Sequence, residues 1–244
     1  MENKVAIVTG SSRGIGAATA IKLATEGYSV CVNYVANQKR ADEIVNIISQ
    51  RGGKAFAFRA DVSDEQEVIA LFEATERQFG RANYLVNNAA ILLPQSKLVD
   101  MDVERFNKMM VANVTSCFLC CREAIKRFTD GGAIVNVSSA AARTGAPFEY
   151  IDYAASKGAM DAMTKGLSLE VAGQGIRVNG VRPGFIHTEM HADGGEPGRV
   201  ERLAPNIPLQ RGGTPEEVAN AIAWLLSDEA SYVTGSFIDL AGGR

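Results

Sequence analysis

Short apolar runs rich in valine and isoleucine alternate along this chain with longer stretches of helical periodicity. The runs at Lys4–Thr9, Tyr28–Tyr34, Lys54–Arg59, Tyr84–Asn87, Ala133–Ser138, Arg177–Arg182 and Ser236–Leu240 read as strands. They are near-continuously apolar rather than alternating, the pattern of parallel strands covered on both faces. Helical stretches begin near Gly14, Asn37, Asp64, Asp102, Asn113, Tyr153 and Pro215. Ser63 with Gln66 reads as a capping box, and Thr214 with Pro215 and Glu217 as another. Repeated β-α units imply right-handed crossovers and a single α/β domain over 1–244, a doubly wound parallel sheet of about seven strands with helices on both faces. The one long irregular stretch, 184–213, is predicted to be a substrate lid.

Composition is that of an ordinary globular protein, with 46% hydrophobic and 22% charged residues. A net charge of −3 argues against nucleic acid or an anionic membrane as partner. No apolar run approaches a membrane span. Met1–Lys4 leads straight into Val5–Val8, too short for a signal peptide's apolar core, so a cytoplasmic location is expected. Cys117 and Cys120 form a CxxC inside the apolar run Val114–Phe128 with no second pair, which fits buried thiols better than zinc or redox chemistry. His187 and His191 flank Glu189 as HTEMH, with the glutamate misplaced for a metalloprotease helix. No metal is expected.

Two patterns carry chemistry. Thr9-Gly10-Ser11-Ser12-Arg13-Gly14-Ile15-Gly16 follows the first strand and opens the first helix. Glycines there permit a tight turn, and the helix N-terminus offers free N–H groups to a pyrophosphate, as in a Rossmann-type domain. The spacing is GxxxGxG, without the Lys-Ser/Thr of a Walker loop. No carboxylate stands at Asn33-Tyr34, where one would bind free ribose hydroxyls and repel a 2′-phosphate. With Arg13 in the loop, that absence favours NADP(H), NAD(H) remaining possible; Lys39 and Arg40 are further cations nearby. Asp61-Val62 after the third strand reads either as an adenine contact or as a turn. The second pattern is Tyr153-Ala-Ala-Ser-Lys157, which places a phenol and an ammonium on one helix face. A nearby ammonium favours phenolate and makes tyrosine a usable general acid or base.

These motifs, with Asn87-Asn88-Ala89-Ala90, Asn113, Ser138-Ser139 and Pro183-Gly184 through Ile186 and Thr188, resemble the short-chain dehydrogenase/reductase family over essentially the whole chain. The resemblance implies a catalytic set of Asn113, Ser139, Tyr153 and Lys157. The tyrosine would exchange a proton with the substrate oxygen, and the serine would polarise that oxygen. The lysine would tune the tyrosine and hold the nicotinamide ribose, and the asparagine would anchor a water. It also implies cofactor contacts from the glycine loop, Asn88, Ala89, Ala90 and the Pro183–Thr188 segment. Two departures stand out. Ala90 replaces the family's usual glycine, and Ser139 stands fourteen residues before Tyr153, one more than usual, which predicts a bulge in Ala140–Asp152. Ser138 is the alternative serine; Tyr150 lacks a lysine at 154.

Three functions follow. The chain is similar to glucose-1-dehydrogenase-like members, implying an NADP(H)-dependent alcohol or ketone oxidoreductase of small molecules. It is also similar to 3-oxoacyl-carrier-protein reductases, for which Arg122, Lys126 and Arg127 would supply a basic docking face or else a solvated helix face. A catalytically silent dinucleotide sensor is the third. His187, His191, Arg199 and Arg202 are polar handles in the lid. Excess apolar positions on Val111–Phe128 and small residues on Tyr153–Val171 call for close neighbours, within a well-buried monomer or, as the resemblance implies, across a two-fold axis between subunits. The resemblance extends this to a homotetramer, with a homodimer as fallback.

Overall fold

The computed structural model describes residues 4–129 and 131–244. One seven-stranded, all-parallel sheet runs in the order β3-β2-β1-β4-β5-β6-β7. Its strands are β1 (Val5–Val8), β2 (Ser29–Tyr34), β3 (Lys54–Arg59), β4 (Tyr84–Asn87), β5 (Gly132–Val137), β6 (Ile176–Pro183) and β7 (Phe237–Leu240). Each lies within about a residue of its apolar run; β1, β2 and β4 are buried throughout, while the edge strands β3 and β7 are only half-buried. Ala6 and Val8 pack into one core layer while Val5 and Ile7 pack into the other. The first layer is closed by α1 (Gly14–Thr25), α2 (Gln38–Gln50) and α10 (Pro215–Leu226). The second is closed by α3 (Glu65–Phe79), α5 (Ser116–Arg127) and α7 (Ile151–Val171). All four cysteines are buried and free, and burial pushes the Cys31 thiol up to about 12.

Helix starts follow their caps, with two corrections. Thr214, Pro215 and Glu217 form the full capping box of α10. At α3 the cap is Asp64, whose carboxylate accepts from the Gln66 and Glu67 amides, so the Ser63–Gln66 box does not exist. The Ser63 hydroxyl instead donates to Asp61 at 2.7 Å. A charged oxygen one residue later is the stronger acceptor for the orphan N–H groups. Nor does a helix begin at Asn113. Helix α4 (Val103–Met110) runs through a π turn at Val111–Thr115 into α5 without a break.

The stretch 184–213 is less irregular than its composition suggests. It contains α8 (Met190–Asp193) and α9 (Arg199–Leu203), and its two ends are clipped together where His187 N–H donates to the Gly213 carbonyl and Gly213 N–H to that of Phe185. Between β5 and α7 lies α6 (Ala141–Thr144), followed by Gly145, Ala146 and Phe148 at positive φ. The segment predicted to bulge is thus a helical turn with a left-handed exit.

Candidate active site

Strand order reverses between β1 and β4, and ligand crevices in open parallel sheets form beyond the strand ends at such a point. A cavity of about 380 Å³ lies there. Of the sequence-predicted residues, Ile15, Asn88, Ala90, Ser139, Tyr153, Lys157, Pro183, Gly184, Ile186 and Thr188 line it together, with Ser138 beside them. Both serines reach the wall because β5 ends at Val137, so the alternation of a strand no longer separates them. Their environments differ. Ser138 is 3% exposed and donates to the Lys157 carbonyl, whereas Ser139 hydrogen-bonds the Tyr153 side chain.

The electrostatics run against the expected pairing of tyrosine and lysine. Burial pushes the Tyr153 phenol up to about 12, only partly offset by its hydrogen bond with Ser139. Burial also pushes Lys157 down to about 8. Its Nζ lies 5.6 Å from the Tyr153 ring centroid and donates to the Val137 carbonyl at 2.8 Å. An ammonium aimed at a backbone carbonyl and itself losing charge does little for a phenolate.

Asn113 does not face the cavity. It is fully buried, its Oδ1 accepting from Ile91 N–H and its Nδ2 donating toward the Ile91 carbonyl, Met109 Sδ and Ser156 Oγ. Ser156 in turn donates to the Tyr153 carbonyl at 2.7 Å. The Asn113 side chain thus forms a strut between the 91 loop and the turn carrying Tyr153.

The glycine loop is built as a cradle. Gly10 has φ +60°, and a Cβ on it would stand 2.9 Å from the Ala89 backbone; one on Gly16 would stand 2.5 Å from Asn88 Nδ2. The Asn88 amide clasps the loop by donating to the Thr9 and Gly10 carbonyls. Helix α1 has no side-chain cap, while Asn37, Asp64, Asp102 and Thr214 cap four other helices, so its first N–H groups stay available to an anionic ligand. These features fit a dinucleotide pyrophosphate. Ser12, Gly14 and Ala89 belong to the same cradle. The Asn33 side chain is fully buried, accepting from Gly10 N–H and donating to the Ala60 carbonyl, a brace for the loop. Tyr34 and Val62 are buried as well, and one oxygen of Asp61 accepts from the Ser63 N–H and hydroxyl.

The lid handles His191 and Arg199 also stand in the wall, together with Tyr150, Phe185 and Arg244. Tyr150, rejected as catalyst, donates its hydroxyl to the Gly194 carbonyl at 3.0 Å and ties the lid to α7. Arg199 is 6% exposed and pairs with Glu149 and Glu196. Arg244 lies over the Phe185 ring at 5.0 Å.

The family model described as enoyl-(acyl carrier protein) reductase matches residues 10–244. The Escherichia coli K12 oxidoreductase YgfF is 62% identical over 98% of this chain and 99% of that protein. Glucose 1-dehydrogenase 2 of Bacillus subtilis is 39% identical over 100% of this chain and 95% of its own length. The crystal structure of a dehydrogenase/reductase from Sinorhizobium meliloti superposes with a TM-score of 0.93 at 35% identity, covering 100% of this chain and 95% of that one.

Proposed function

The chain belongs to the short-chain dehydrogenase/reductase family and is a nicotinamide-dependent oxidoreductase, and from that premise we propose that it moves hydride between NADP(H) and a small-molecule alcohol or ketone, with Tyr153 as general acid/base. The observation that carries the reading is the meeting of Ser139, Tyr153 and buried Lys157 in one cavity beside the glycine cradle. When bound, the nicotinamide supplies or accepts the hydride. Ser139 orients the substrate oxygen by hydrogen bonding, and Tyr153 gives that oxygen its proton or takes it away. Lys157 holds the ribose and feeds the proton onward, while Asn113 fixes the turn on which Tyr153 sits. The lid, 184–213, closes over the substrate. A panel of carbonyls and alcohols with both cofactors tests this reading: binding without turnover of any of them would favour a sensor.

The basic stripe of α5 bears on the acyl-carrier alternative. Arg122 is paired with Glu65, Lys126 with Glu123, and Arg127 with Glu123 and Glu76. Cations already neutralised from their own surface leave little field for an acidic carrier protein, which favours the small-molecule reading.

A phenol held near 12 has a consequence for pH. Through neutral pH Tyr153 keeps its proton, ready for carbonyl reduction, but it must lose that proton before it can act as base. Alcohol oxidation is therefore expected to rise between about pH 6 and pH 10, while reduction stays level and then falls as Lys157 discharges above about 8. Following cofactor absorbance in both directions checks this, and a level oxidation profile would contradict it.

The assembly reading is a homotetramer. Val103, Phe106, Val111 and Phe118 are exposed along α4 and α5, and Leu169 on α7 is 70% exposed, while Cys117, Cys121 and Phe128 are taken up by the core. Strand β7 is an edge, pairing only with β6. Light scattering is expected to give a mass several times the 26.0 kDa chain, and a monomer would refute it.

A further inference from the structure

Two arginines beside the cradle, Arg13 and Arg40, are held by the lid. Arg13, at the head of α1, donates through Nη2 to Asp193 at 2.5 Å. Arg40, in the first turn of α2, donates through Nη1 to Glu189 at 2.9 Å. Glu189 and Asp193 stand four residues apart at the two ends of α8, so both carboxylates leave the same helix face. Two cations from separate helices thus converge on one short lid helix. Met190 and His191, between those carboxylates, line the cavity.

We propose that Glu189 and Asp193 are specificity-determining residues for the cofactor, because they occupy the guanidinium pair that a ribose 2′-phosphate needs. The proposal rests on the reading that Arg13 receives that phosphate. A 2′-phosphate must displace the carboxylates and then lie close to them, which weakens its capture by competition and by repulsion. A dinucleotide with free ribose hydroxyls leaves both ion pairs in place and is indifferent to them. The pairs are displaceable, since all four side chains are between 43% and 48% exposed. An exposed ion pair holds its partners by no more than about fivefold, so the two together hold phosphate binding down by roughly tenfold.

Binding alone tests this, without turnover. NADPH and NADH are titrated by calorimetry into the intact wild-type protein, the E189Q/D193N double variant and R13A. The double variant is expected to bind NADPH about tenfold tighter, with NADH changed by less than about twofold. Unchanged or weaker NADPH binding, or equal tightening of both cofactors, overturns the proposal while R13A still loses NADPH affinity. If R13A binds NADPH as the wild type does, the phosphate reading itself fails and this proposal falls with it. NADH binding in every variant reports that the fold is intact.

Discussion

Tyr153→Phe is expected to lower turnover by at least about 10²-fold while cofactor affinity stays within a few-fold of wild type. The substitution removes one oxygen and leaves the ring, which lines the cavity and faces Lys157 Nζ at 5.6 Å. The strut from Asn113 through Ser156 reaches the Tyr153 backbone carbonyl, not its phenol, so the helix turn keeps its place. Ser139 loses its partner but keeps the hydrogen bond it accepts from Ala141 N–H. What disappears is the proton donor to the substrate oxygen. Steady-state kinetics with titration of cofactor separate the two effects; near-normal turnover removes Tyr153 from the assigned role.

Gly16→Ala is expected to damage stability and cofactor binding together. The new methyl would stand 2.5 Å from Asn88 Nδ2, 2.6 Å from the Gly10 carbonyl oxygen and 2.8 Å from the Ser11 Cα. Two of these three neighbours are backbone, and the third is the amide that clasps the loop. Overpacking of this kind costs about 1–3 kcal/mol, or roughly 3–10 °C in Tm for a domain of this size. Relief comes only by moving α1 away from the loop, which spoils the alignment of its free N–H groups, so dinucleotide affinity should fall by at least about tenfold. Calorimetric melting and cofactor titration measure the two losses; unchanged values for both would mean that the loop yields freely.

The sheet was legible because its interior strands are buried and carry near-continuous apolar runs. The cradle and the Tyr153–Lys157 pair were legible because each is local, a spacing within one turn or one helix. Where several polar residues compete locally, spacing misleads. Asp61, Ser63 and Asp64 are all able to cap, and the charged Asp64 takes the helix while Ser63 turns back to Asp61. Asn113 was legible as a site residue but not as a strut, since its partners are the Ile91 backbone and Ser156 on another helix. The reversed electrostatics of Tyr153 and Lys157 depend on burial, which no spacing encodes. The partners of Arg13 and Arg40 were invisible for the same reason, lying 180 and 149 residues away.

The parallel sheet also governs how fast the molecule can form. No strand pairs with a hairpin neighbour. β1 must find β2 across a whole helix and β4 across three crossovers, with Val5 N–H reaching Asn83 over 78 residues. Each such pairing closes a long loop before any contact rewards it, so contact order is high and refolding is slow beside that of a helical bundle of equal stability. While β1 waits for β4, the runs Val5–Val8 and Ser29–Tyr34 are apolar, extended and uncovered. Refolding yield should therefore fall with protein concentration, because interior strands of the finished sheet are adhesive segments of the unfinished one.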